Sequence, residues 1–207
     1  MTRTFARAGA VLILSLPLAA CSAIRSGPPP VRTYRMDYPA PPPLAGAPNP
    51  ATVRVIPFGI ATVYDRQGFV YEDGRHGIAD DYYNRWFAPP ASMLTDLIAR
   101  DLAASRRFTA VLRTPSSLPS AFELNGMIEV LVERPQDGCT AHLRLRAILV
   151  RVPDRGPRTV ILDDVLEASE SCSAGDPASF AAATSLAVQH VSEQLQQRLS
   201  DAATAAP

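Results

Sequence analysis

Two stretches repeat apolar residues at helical spacing, and several others alternate them. After Pro89-Pro90, Leu94, Leu97, Ile98 and Leu102 form one stripe, the mark of an amphipathic helix with its proline in the first turn. That helix is expected to end near Ser105-Arg106-Arg107, where cations suit the negative terminus. Asp176-Pro177 opens a second helix with the stripe Phe180, Ala183, Ala187, Val191, Leu195 and Leu199, and the Ala-rich tail from 201 to 207 is expected to fray. Strands are expected at Val53–Ile56, at Phe108–Leu112 and over Phe122–Val132, where Gly126 marks a bulge or a close backbone approach, and a strand or hairpin is expected to span Ala61–Tyr71. Residues 75–88 read as a loop. Tyr34, Met36 and Tyr38 also alternate, which fits either an edge strand or a disordered arm.

The runs 139–152 and 159–172 flank Pro153-Asp154-Arg155-Gly156-Pro157 and read as a hairpin. With Leu145 opposite Leu166, the same register places Leu149 opposite Leu162, Leu143 opposite Ala168 and Cys139 opposite Cys172. All share one face, because side chains alternate along a strand. Arg144 then opposes Glu167 on the other face, while Asp164 breaks the apolar row opposite Ala147. One-sided helices and strands that come largely in hairpins predict an α+β fold. The expected form is a two-layer sandwich, a mixed or antiparallel sheet with two helices packed on one face.

The N-terminus changes the picture from a free domain to an anchored one. Arg3 and Arg7 precede an apolar run from Ala8 to Leu18 that is too short to span a bilayer. It ends on Leu18-Ala19-Ala20-Cys21, which resembles the bacterial lipobox, whose cysteine is acylated and becomes the mature N-terminus. Several acyl chains would give a stable anchor. The expected organisation is a signal peptide over 1–20, a lipidated tether over 21–50, one globular domain over 51–200 and the tail. Nine of the 20 prolines lie between Pro28 and Pro50, which favours an extended tether. Ser22 after the cysteine favours the outer membrane, with the inner membrane as the alternative. In that oxidising compartment, with Cys21 consumed by lipid, Cys139 and Cys172 remain as an even pair and are expected to form a disulfide.

Charge excludes some partners. The chain has 20 basic and 20 acidic residues; loss of Arg3 and Arg7 leaves 18 against 20, a net of −2. That is no footprint for nucleic acid or a polybasic membrane contact. Chemistry is sparse. His76, His142 and His190 have no metal-ligand spacing, Ser92 and Ser116-Ser117 lack a nucleophile elbow, and no phosphate loop is present. Asp80-Asp81 and Asp163-Asp164 read as solvated carboxylates rather than acid/base pairs. No cofactor and no enzymatic activity are expected.

Tyr82, Tyr83, Arg85, Trp86 and Phe87 form the richest recognition cluster. Two readings stand: Trp86 and Phe87 plug the core while the tyrosines cover its edge, or the cluster Tyr82, Tyr83, Arg85 and Trp86 is a protein-interaction surface. The order of motifs then becomes informative. Val55-Ile56-Pro57-Phe58, the run Tyr64-Asp65-Arg66-Gln67-Gly68-Phe69-Val70-Tyr71, Tyr82-Tyr83-Asn84-Arg85-Trp86 and Arg107-Phe108-Thr109-Ala110-Val111 together resemble the ABC-type transport auxiliary lipoproteins, the PqiC-like group. Tyr34-Arg35-Met36 resembles the tyrosine-centred segment after their anchor. Family members often carry histidine where Asn84 stands, so that position is given no role. The resemblance implies a non-enzymatic accessory of a lipid-transport system, meeting a periplasmic MCE-domain protein and its permease and ATPase at the outer membrane. A homo-oligomer stays open. So do two other classes: a structural lipoprotein of an envelope-assembly complex, and a membrane-anchored hydrolase.

Overall fold

The computed structural model describes residues 27–45, 49–135 and 138–205. The signal segment and Cys21 lie outside them. By its contacts the chain divides into Met1–Pro30 and Val31–Pro207. Of the first unit, the described residues 27–30 are exposed. Among the described residues, no helix is long and apolar enough to cross a membrane.

The second unit is built on a nine-stranded mixed sheet and two helices. In chain order these are β1 (Arg32–Tyr34), β2 (Asn49–Val55), β3 (Gly59–Ile60), β4 (Gly68–Asp73), β5 (Gly77–Trp86), α1 (Pro90–Ser105), β6 (Phe108–Arg113), β7 (Phe122–Arg134), β8 (Thr140–Arg151), β9 (Thr159–Ser171) and α2 (Pro177–Ala205). β7 is central. β8 lines one side of it antiparallel, and β2, β3 and β4 line the other side in succession, all parallel. β6 lies beyond β2, β5 and then β1 beyond β4, and β9 beyond β8. The helices cover one face. Rows such as Leu124–Leu149 and Ile128–Leu145–Leu166 cross that face and are almost completely buried.

The hairpin register holds from Thr140–Ser171 to Leu149–Leu162 and then slips by one, so Val150 faces Val160. Asp164, the residue that broke the apolar row, reaches Arg198 on α2 at 3.5 Å. Gly126 is a close approach: a Cβ there would stand 2.6 Å from the Phe58 ring. α1 begins at Pro90 in its first turn and ends on Arg106 in the left-handed region at φ 55°. At the start of α2, the Asp176 carboxylate accepts from Ala178 N at 3.0 Å.

Four expectations need correction. Residues 31–45 are packed on the body rather than part of the tether, which decides the alternation of Tyr34, Met36 and Tyr38 for the edge strand over the disordered arm. β1 joins β5 in parallel, and Met36 and Tyr38 are buried; burying such side chains offsets the ordering cost by ~1.5–3 kcal/mol each. The tail does not fray at 201, because Ala203 extends the buried stripe and its carbonyl accepts from Asn49 Nδ2 at 3.0 Å. Ala61–Tyr71 is neither one strand nor a hairpin of its own; β4 makes its hairpin with β5. A short 3₁₀ turn, Thr62–Tyr64, precedes β4. Finally, 75–88 is mostly strand: β5 is half-buried, and its polar residues hide the alternation.

Candidate functional site

The aromatic cluster lies on an irregular part of β5. Gly68 pairs with Arg85, but the next residue, Phe69, pairs with Asp81. Residues 82–84 therefore leave the ladder as a bulge. The Asp81 carboxylate holds it, accepting from Tyr83 N at 2.7 Å, Asn84 N at 3.0 Å and Asn84 Nδ2 at 2.6 Å. Gly68 fits beneath because a Cβ would approach Asp81 O to 2.8 Å. Tyr82 is 68% exposed, and its ring meets that of Tyr83 edge-on at 5.2 Å. Tyr83 is also exposed and Arg85 is half-buried.

Trp86 is withdrawn from this surface. It is 2% exposed and packs against Phe69 at 4.4 Å and Phe180 at 6.0 Å. Its place among the interaction residues is corrected by that burial. Its neighbour reverses the other expectation: Phe87 is 73% exposed and plugs nothing. Strand alternation is the reason, since adjacent residues face opposite sides. A cavity of about 290 Å³ adjoins the bulge, lined in part by Phe69, Tyr71, Asp81, Asn84 and Glu133. Burial, reinforced by Asp81, pushes the Glu133 carboxyl above its ordinary value.

A second cluster was not foreseen. Asp101 is fully buried and accepts from Tyr38 Oη at 2.6 Å, Ser192 Oγ at 2.6 Å and Arg100 Nε at 2.8 Å. The Arg100 guanidinium also lies over the Tyr38 ring, 4.6 Å from its centroid. Burial first, then Asp101, raises the Tyr38 pKa well above the usual phenol range, so the phenol stays a donor. The cluster fastens the arm to both helices. Its signal was in the sequence: Asp101 falls seven residues after Leu94, on the apolar stripe of α1.

The paired carboxylates are committed elsewhere. Asp80 pairs with Arg66, and Asp163 takes a bidentate contact from Arg146 at 2.8 and 2.7 Å that holds its carboxyl below the usual range. Asp163 and Asp164 lie on opposite sheet faces. On the face away from the helices, His142 Nδ1 lies 2.9 Å from Ser169 Oγ, and Nε2 lies 3.3 Å from Glu167. This row has the residue types of a hydrolytic triad, but all three sit within one β8–β9 ladder. Cavities of about 290, 280 and 450 Å³ among the described residues are lined by other residues. Among the described residues, no group of three or more His, Cys, Asp or Glu could hold a metal ion.

Burial, then Arg134, holds the His142 pKa below 6.5, opposed by Glu167 and Glu72. At His142 the folded protein therefore binds protons less readily than the unfolded chain as pH falls through 6.5, and this site's contribution to stability drops below that point. Glu133, raised above 4.5, acts with the opposite sign: its contribution is lost as pH rises. Comparing wild type with His142→Gln cancels the Glu133 part. Between about pH 7.5 and about pH 5.5 the melting temperature of the wild type should fall further than that of the variant. Equal falls would remove His142 as the source.

The fold is a two-layer α+β sandwich, and its exposed tyrosine pair lies on a bulge rather than in a cleft. The chain belongs to the family of ABC-type transport auxiliary lipoprotein components, whose model matches residues 34–196. It is similar in structure to protein XCC0632 from Xanthomonas campestris, with 19% identity and a TM-score of 0.75 over 84% of this chain and 97% of that one. It is also similar to the hypothetical protein CT253 from Chlamydia trachomatis, with 13% identity and a TM-score of 0.56 over 76% and 99% of the two chains. At these identities the likenesses establish the fold. No curated protein matches the chain significantly.

Proposed function

We propose that the protein is a non-enzymatic, lipid-anchored accessory of an ABC-type lipid-transport system, docking to that system's periplasmic MCE-domain protein at the outer membrane. Membership of the transport auxiliary family carries the reading. Cys21 is the attachment point for lipid. The contact is the β5 bulge: Tyr82 and Tyr83 are exposed, Arg85 is half-buried beside them, and these residue types dominate interface energetics. The carboxylate of Asp81 sets the bulge before any partner arrives, which lowers the ordering cost of binding.

The test is capture of the MCE-domain protein from mildly solubilised envelopes with the single variants Tyr82→Ala, Tyr83→Ala and Arg85→Ala. At least one tyrosine variant should lose ~2 kcal/mol of binding, about a thirtyfold weakening, at an unchanged melting temperature. Full recovery with all three would remove the bulge from the interface. The Ser169–His142–Glu167 row makes a hydrolase testable as well. Labelling by a serine-reactive probe that disappears in Ser169→Ala would favour that reading.

A further inference from the structure

The chain enters the body at Val31 and is fastened from there to Ala45. Arg32–Tyr34 add to β5. Asp37 N donates to Ser185 Oγ on α2 at 3.1 Å, and Tyr38 reaches Asp101 on α1 and Ser192 on α2 through the buried cluster. Arg100 Nη1 donates to Tyr38 O at 2.9 Å, and Leu44 N donates to Ser105 O at 3.0 Å. This strap is thus held by β5, α1 and α2. Its entry point is also defined. Arg32 lies opposite Asn84, the last residue of the bulge, so the chain emerges beside Tyr82 and Tyr83.

Fastening the strap changes the tether's reach. Read as free to Pro50, the tether is 29 residues (22–50); with the strap docked it is nine (22–30). At ~3.1 Å per residue the extended limit falls from about 90 Å to about 28 Å. A body of this length has a diameter of roughly 40 Å, from a radius of gyration near 16 Å. A leash shorter than the body cannot carry the point of attachment to the side away from the bilayer.

We propose that the strap turns the tyrosine bulge toward the bilayer that holds the anchor. The contact with the MCE-domain protein is then made at that lipid surface. This rests on Cys21 as the anchor and on the bulge as the contact. The strap itself stands on the packing of residues 31–45.

Two insertions separate the possibilities in the full-length lipidated protein. Fifteen Gly/Ser residues are placed after Gly27 in one variant and between Ala45 and Asn49 in the other. Height of the body above a supported bilayer of phosphatidylethanolamine and phosphatidylglycerol is read by energy transfer from a dye on the body to a lipid dye. The first insertion should raise the body by about 20 Å, the root-mean-square length of a 15-residue Gly/Ser coil, and the second should leave its height unchanged. Equal rises would overturn the strap, and this arm needs no partner. In cells, crosslinking to the transport component should fall with the first insertion only; recovery insensitive to it would overturn the membrane-facing contact. Binding of the lipid-free body to vesicles of the same lipids, lost when Tyr82 and Tyr83 are both Ala, would assign the bulge to lipid and overturn the protein contact. No crosslinked partner with the wild type would fell the docking reading, while the height comparison still decides the strap.

Discussion

Trp86→Ala should lower the melting temperature by roughly 6–20 °C, the equivalent of ~3–5 kcal/mol for emptying an aromatic site in a domain of this size. The indole sits where β5 meets α2. Phe69 and Phe180 flank it and also touch each other at 5.0 Å, so the three rings form one unit between the sheet and the long helix. Deleting the largest ring of such a group loses the transfer free energy and leaves a void that its rigid neighbours cannot close. Tyr82→Ala, four residues earlier, should move the melting temperature by no more than a degree or two. Its ring is mostly in water, and the bulge that carries it is held by the Asp81 carboxylate, which accepts from Tyr83 N and Asn84 N. Thermal unfolding of the two variants side by side checks the contrast. A small loss for Trp86→Ala would mean that the sheet and α2 are held by other contacts.

The second large effect concerns Cys139 and Cys172, bonded in the structure with Cα atoms 5.0 Å apart. The bond closes the end of the β8–β9 hairpin, where Cys172 N donates to Cys139 O at 3.0 Å. Replacing both cysteines with serine should cost roughly 3–4 kcal/mol for a loop of this length on the chain-entropy account. Cys139 is 2% exposed, so its serine substitute also buries a hydroxyl. Alanine at both positions separates the two effects. Thiol titration of the denatured, unreduced mature protein gives the direct check: no free thiol is expected from this pair, and two would refute the bond.

Much of the fold was legible because its signals are local. The apolar stripes of α1 and α2 and the proline in the first turn of each appear where periodicity places them. The β8–β9 register follows from matching leucines across a turn, and it slips only past Leu149, where a bulge adds a residue without any marker in the side chains. What escaped was set by long-range packing. The alternation of Tyr34, Met36 and Tyr38 allows an edge strand, but it does not announce that Tyr38 will meet Asp101, 63 positions later, and the prolines around it argue for a free tether. Residues 75–88 read as a loop because Asp80, Asp81 and Asn84 suppress β-propensity, yet β4 and β1 supply ladders on both sides of that segment. The same effect divided the aromatic cluster. Composition put Tyr82, Tyr83, Arg85 and Trp86 together, while strand alternation turns Trp86 inward and Phe87 out.

The docking account is most directly tested by a photoreactive amino acid at position 82 in cells, with the crosslinked product identified by mass spectrometry. Tyr82 is 68% exposed, so the substitution leaves the fold intact; Val160, 57% exposed on the sheet face away from the helices, is the control position. The expected result is an adduct with an MCE-domain protein from position 82 and none from position 160. An adduct from position 160 alone, or from neither position, would contradict the account.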